Sequence, residues 1–181
     1  MADERLIPAE DGTSLYVRRR GTGRRGIVLC DGILCEGFIY RHLWEQLSPA
    51  SSAESSLVHW NYRGHGRSGE PRDERRLGVS AHADDLLTIC AALGFSSVVL
   101  VGHSFGVSVV LEAALKTQLR VDALMLLCGT AGSVTHSFRG TSALAFVIPR
   151  LRQAVQDYPR LARGVWSRLP ASLASRAAVM S

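Results

Sequence analysis

Apolar runs alternate with amphipathic stretches from residue 26 to residue 128, and that alternation predicts a parallel β-sheet with crossover helices. Two short strands come first, at 5–10 and 14–20, joined at Asp11-Gly12, a pair that favours positive φ and therefore a hairpin. The run Gly-Ile-Val-Leu-Cys at 26–30 reads as a buried strand, and a helix is expected at about 38–47. A third apolar run at 57–60 leads into the glycine-rich turn Arg63-Gly-His-Gly-Arg67.

Ser80 is placed to N-cap the following helix, with Asp84 and Asp85 against its positive end. Ala83, Leu86, Leu87, Cys90 and Leu93 form the apolar face of that helix, and Gly94 closes it. Residues 97–101, Ser-Val-Val-Leu-Val, are short, apolar and β-branched, as a central strand covered on both faces must be. That strand runs directly into Gly102-His-Ser-Phe-Gly106, a helix reaching about Lys116, and a further strand at 121–128. From 131 the pattern changes to a small-residue loop and two helix-like segments, each opened by a proline, at 149–158 and 159–169. The division expected is a core over 1–130 and a partial helical cap over 131–181.

Composition narrows the class. At 181 residues and 46% hydrophobic content the chain can bury a single core. No run approaches the roughly 18–20 apolar residues of a membrane span, and the acidic start Met-Ala-Asp-Glu-Arg is unlike a secretory leader, so a cytoplasmic location is expected. The charge of +5 comes almost wholly from arginines dispersed along the chain, Lys116 being the sole lysine. Such dispersion argues against nucleic-acid binding, which clusters its cations on one face. Seven arginines lie between Arg139 and Arg176 against the single acid Asp157; acids elsewhere in a larger protein would balance them. Cys30, Cys35, Cys90 and Cys128 lack C-x-x-C or Cys/His metal spacing and are expected as buried thiols. No metal or cofactor is expected.

The chemistry centres on Ser104. Its G-x-S-x-G setting is a weak signal alone, but it falls at a strand-to-helix junction, where a sharp turn lifts the middle side chain above the sheet edge. Gly102 and Gly106 remove side chains that would collide with neighbouring backbone there. At a helix N-terminus the free N–H groups face any negative charge forming near the serine oxygen, and the N–H of Phe105 is the natural first oxyanion donor. A plain N-capping serine would need neither glycine. The stretch Gly21-Thr-Gly-Arg-Arg-Gly26 matches G-x-G-x-x-G literally, but it precedes a strand instead of opening a helix, and it reads as an exposed loop, not a dinucleotide site.

From Leu6 to Cys128 the sequence resembles the α/β-hydrolase superfamily, in its lipase/esterase-like branch. The likeness rests on Cys30-Asp-Gly32 after the first parallel strand, Asn61-Tyr-Arg-Gly-His-Gly-Arg-Ser68, the elbow Gly102-His103-Ser104-Phe105-Gly106, and the cap-like segment after Cys128. It implies an α/β fold, mostly parallel, with an N-terminal antiparallel hairpin and an incomplete C-terminal end. It also implies Ser104 as nucleophile and the N–H of Ile33 as the second oxyanion donor. Family members more often carry His-Gly where this chain has Asp31-Gly32, and Asp where it has Asn61. Asp31 would place a carboxylate near the oxyanion pocket, where it disfavours negative charge or fastens a loop. Arg63, His65 and Arg67 read as structural.

A serine hydroxyl needs a base and usually an acid to orient that base, and the family order is Ser, then Asp or Glu, then His. After Ser104 the sequence offers only His136 and, beyond the last strand, Asp157, in the wrong order. The chain is therefore expected to be an N-terminal part that ends before its acid and base, with the strand at 121–128 as an apolar edge. The function implied is hydrolysis of an ester or related acyl compound through an acyl-serine, in a protein inactive as this chain alone. A cofactor-free haloperoxidase or an acyltransferase would use the same residues. The alternative is a non-catalytic binding protein or degenerate paralogue. Relatives of this fold with an aspartate nucleophile, dehalogenases and epoxide hydrolases among them, are disfavoured by the serine.

Overall fold

The computed structural model describes residues 2–33, 35–47, 53–73 and 75–129. The expected cap over 131–181, with His136 and Asp157, lies outside these residues.

Six strands, β1 (Asp3–Pro8), β2 (Ser14–Arg20), β3 (Arg25–Cys30), β4 (Ser55–Trp60), β5 (Ser97–His103) and β6 (Arg120–Leu127), form one sheet in the order β1-β2-β4-β3-β5-β6. β1 and β2 pair antiparallel, as the hairpin signal requires, and β2 joins β4 antiparallel. The turn is closed by Gly12 at φ 80° and by the Thr13 N–H donating to the Asp11 carboxylate at 3.1 Å. The remaining pairings, β4 with β3, β3 with β5 and β5 with β6, are parallel. The helices α1 (Arg41–Gln46), α2 (Val79–Ala92) and α3 (Phe105–Lys116) lie in the crossovers.

The pleat sorts side chains onto two faces. Val28, Val58 and Leu100 share one, with Val17 and Trp60, and pack with α2 and α3 through Ala83, Leu86, Ile89, Val109 and Val110. Leu29, Leu57 and Val101 share the other, under Tyr40 and the α1 residue Trp44. These strands are apolar on both faces because both are covered. Among the described residues β6 is the last strand on that side of the sheet, with Leu124, Met125, Leu126 and Leu127 each 38–51% exposed.

Four expectations are corrected. The helix expected over 38–47 is a single short one, Arg41–Gln46. Ser80 does not cap α2: Gly78 occupies that position, and the Ser80 hydroxyl accepts instead from the Lys116 ammonium at 2.7 Å. Cys30 and Cys90 are buried thiols as expected, but Cys35 is half-buried and Cys128 exposed, beyond the last strand. The loop holding Gly23 is not open: a Cβ on Gly23 would lie 1.9 Å from the Glu54 carbonyl carbon, and the Gly23 carbonyl accepts from Ser56 Oγ and Arg19 Nη2. The segment nonetheless leads into β3, as the strand reading required.

Candidate active site

The last residue of β5 is His103 and the first of α3 is Phe105, so Ser104 alone makes the turn. Its backbone sits at φ 52°, ψ −113°, outside the regions an L-residue ordinarily adopts, at a cost of about 1–3 kcal/mol. Neighbouring contacts impose that geometry. The Ser104 N–H donates to the Leu127 carbonyl at the end of β6 at 2.9 Å, and the Ser104 carbonyl accepts from Val107 N–H at 3.1 Å. The Ser104 side chain makes no capping bond, and the residue is exposed.

The flanking glycines are required by space. A Cβ on Gly102 would lie 2.4 Å from the Gly106 carbonyl oxygen, and one on Gly106 would lie 2.3 Å from the Cys30 carbonyl oxygen and 2.7 Å from that of Asp31. Strand, turn and helix thus approach backbone to backbone, and any larger residue at 102 or 106 would force them apart.

The loop after β3 lies directly beside the elbow. The vacant Cβ position of Gly32 is 3.1 Å from His103 Nδ1, 3.2 Å from Ser104 Cβ and 3.4 Å from Cys35 Sγ, so Gly32, His103, Ser104 and Cys35 converge on one point. Ile33 follows, 47% exposed. A turn closed by Cys35 N–H on the Gly32 carbonyl at 3.2 Å shapes the loop.

Beneath it lies a polar layer in which Asp31 and Arg63 were expected but their partners His59 and Asp85 were not. Asp31, 2% exposed, accepts at 2.7 Å from Nε2 of His59, itself 1% exposed. The Asp31 carbonyl accepts from the Tyr62 hydroxyl at 2.8 Å, and that of Cys30 from the Tyr40 hydroxyl at 3.0 Å. Burial pushes both hydroxyls above their ordinary range, so each stays a neutral donor. The signal available was periodic: His59 alternates with Leu57 on one face of β4, and parallel register with β3 puts Asp31 on that same face. The Arg63 guanidinium, fully buried, donates to both Asp85 oxygens at 2.8 and 2.6 Å and to Asp11 at 2.8 Å, tying the glycine-rich turn to α2 and to the β1–β2 turn. His65 is held by its Nδ1 on the Arg63 carbonyl at 3.0 Å, and Arg67 pairs with Glu4 and the Tyr16 hydroxyl. His82 packs tilted against Tyr62, with ring centroids 4.7 Å apart, and edge-on to Phe105 at 5.6 Å. No group of three or more candidate metal ligands occurs among the described residues, and no described helix is long and apolar enough to cross a membrane.

A mostly parallel sheet, an antiparallel N-terminal hairpin and a strained serine between β5, the third of the mutually parallel strands in chain order, and α3 define the α/β-hydrolase class of fold. The family model for the alpha/beta hydrolase fold matches residues 27–172, and the chain belongs to that family. Among curated relatives, an epoxide hydrolase of Caballeronia sordidicola is 32% identical over 146 residues, covering 81% of this chain and 41% of that protein. The mouse serine hydrolase BPHL is 35% identical over 109 residues, covering 60% and 37%. The chain therefore spans about two-fifths of the length of these relatives. Among solved structures, an esterase from Exiguobacterium antarcticum superimposes with a TM-score of 0.69 at 22% identity, covering 95% of this chain and 65% of its own, a likeness of fold.

Proposed function

We propose that this chain carries the nucleophile and the oxyanion donors of a serine hydrolase acting on an ester or related small acyl compound. The observation that carries the reading is the backbone of Ser104, strained at φ 52° with its side chain exposed at the N-terminus of α3. Strain of this kind persists only where the surroundings impose it, and here it leaves an uncapped hydroxyl above the sheet edge. In the reaction, Ser104 Oγ attacks the acyl carbon and the carbonyl π electrons move onto oxygen. The N–H of Phe105, which has no intrahelical acceptor, and that of Ile33 receive that charge. The Ser104 proton passes through a base to the departing alcohol or amine as the intermediate collapses, leaving an acyl-serine that water then cleaves to release the acid and restore the hydroxyl.

The base comes from outside the described residues on this reading, since the family order places it after the nucleophile and no described residue after Ser104 is a histidine. The epoxide hydrolase relative lends the fold more than the reaction, because a serine nucleophile suits acyl transfer. A cofactor-free haloperoxidase or acyltransferase would draw on the same residues.

The deciding experiment is turnover of activated short-chain esters by the complete protein that contains this chain, against its Ser104→Ala form. The expected loss is on the order of 10⁴-fold or more. Retention of most of the rate would favour the non-catalytic binding reading.

A further inference from the structure

We propose that the buried His59–Asp31 pair is a positioning device for the oxyanion loop: His59 anchors the Asp31 side chain so that Ile33 N–H stays aimed at the Ser104 site. The inference rests on the acyl-serine reading above and deepens it.

An ionised carboxylate only accepts, so His59 Nε2–H is the donor in the 2.7 Å contact, and a hydrogen bond to a charged partner at that length is among the stronger kinds. Neither side chain has a second hydrogen bond among the described residues, although the Arg18 guanidinium, which also lies against Gly37, attracts the Asp31 carboxylate. Asp31 Oδ1 and His59 Nδ1 are both buried without a hydrogen-bond partner, so the 2.7 Å contact is the one hydrogen bond that either side chain makes among the described residues. Removing the imidazole would leave a carboxylate under the loop with no donor at all, the costliest way to lose a buried contact.

The path from this pair to the nucleophile is short and made of backbone. Asp31 is the residue after β3, its carbonyl and that of Cys30 lie against Gly106, and the next residue, Gly32, touches Ser104. The loop descends onto the His59 ring at Gly37, whose φ of 84° brings it so close that a Cβ there would lie 2.8 Å from Cε1 and 2.9 Å from Nε2. The ring thus has Gly37 packed against it and the Asp31 carboxylate at its edge, so it meets the loop at both residues. The pairing also answers an electrostatic problem. A lone carboxylate beside the oxyanion donors would oppose the charge they are meant to receive, and the imidazole N–H draws that negative charge toward β4.

The test compares His59→Gln, which keeps an N–H donor, with His59→Leu, which keeps bulk and loses it, and with Asp31→Asn, which keeps shape and loses the charge. In the chain 1–181, amide hydrogen exchange is read at Cys35, whose N–H donates to the Gly32 carbonyl, with Val99–Val101 of β5 as an internal reference. His59→Leu is expected to speed loop exchange about 10- to 100-fold with β5 unaltered, and His59→Gln to recover most of the protection. In the complete protein, kcat for an activated ester should fall by a similar factor with KM within about twofold, since the donor acts on the transition state. Unchanged loop exchange in His59→Leu overturns the proposal, as does equal loss in the Gln and Leu forms. If His59→Leu exposes β5 as well, Asp31→Asn decides: loop exchange about tenfold faster supports the anchor, and wild-type exchange refutes it. Because the exchange reading needs no turnover, it stands apart from the Ser104→Ala result, whose failure would remove the catalytic reading and leave the anchor intact.

Discussion

The N–H of Ser104 donates to the carbonyl of Leu127 at 2.9 Å, joining the elbow to the end of the neighbouring strand. That bond holds a non-glycine residue at φ 52°, where glycine alone is at ease. Ser104→Gly is therefore expected to be more stable than Ser104→Ala by about 1 kcal/mol, because it relieves the strain that alanine keeps. Denaturant unfolding of both forms measures the difference. Equal stability would mean that the turn is not strained at this residue.

Gly23 and Gly106 are expected to be almost equally intolerant of valine. A Cβ would lie 1.9 Å from the Glu54 backbone at the first position and 2.3 Å from the Cys30 carbonyl at the second. Gly23→Val should unfold the β3–β4 entry, and Gly106→Val should spread the elbow, each costing about 3 kcal/mol or more through backbone displacement. Soluble yield and thermal midpoint report both. A tolerant Gly23 would mean that the 53–55 segment can move aside at little cost.

Much of this was legible beforehand, and the reason is local. β5, Ser104 and α3 announce themselves through a β-branched run, paired glycines and a helical period that occupy adjacent residues. What was hidden joins residues far apart in the chain. Asp31 meets His59 only because β3 and β4 pair in parallel register, and Gly23 meets Glu54 only because the same pairing brings their loops together. Nothing in the composition of 21–26 distinguishes a packed glycine from an exposed one. The N-cap of α2 failed for a related reason: Ser80 is a good cap by type, but Lys116 of α3 engages its hydroxyl.

Burial against Tyr62 and Phe105 holds His82 neutral, with its pKa down from 6.5 to about 4, and the neighbouring His65 and Arg63 add to the effect. The unfolded chain takes up the proton near pH 6.5 and the folded one only near 4. The contribution is therefore complete above pH 6.5 and lost as the pH falls toward 4, amounting to about 3 kcal/mol. Unfolding free energies measured from pH 7 to pH 4 should fall less steeply in His82→Phe than in the parent. Parallel slopes would place the acid sensitivity elsewhere.

The last expectation concerns Arg63, whose guanidinium is fully buried between Asp85 and Asp11. Burial raises the pKa of Asp85, and the two bonds from Arg63 work against that rise, so the carboxylate depends on the cation for its charge. Asp11 is also opposed by burial, but bonds from Thr13 and Arg63 prevail and hold it down to about 2. Arg63→Met leaves both acids without their common donor and should cost about 3–5 kcal/mol, the range for one partner lost from a buried pair. Adding Asp85→Leu to that variant removes the stranded carboxylate and should recover part of the loss, so the two substitutions together cost less than their separate effects summed. Denaturant unfolding of the four forms closes the cycle. Strict additivity would show that Arg63 and Asp85 do not depend on each other, and the turn after Asn61 would then owe its position to packing alone.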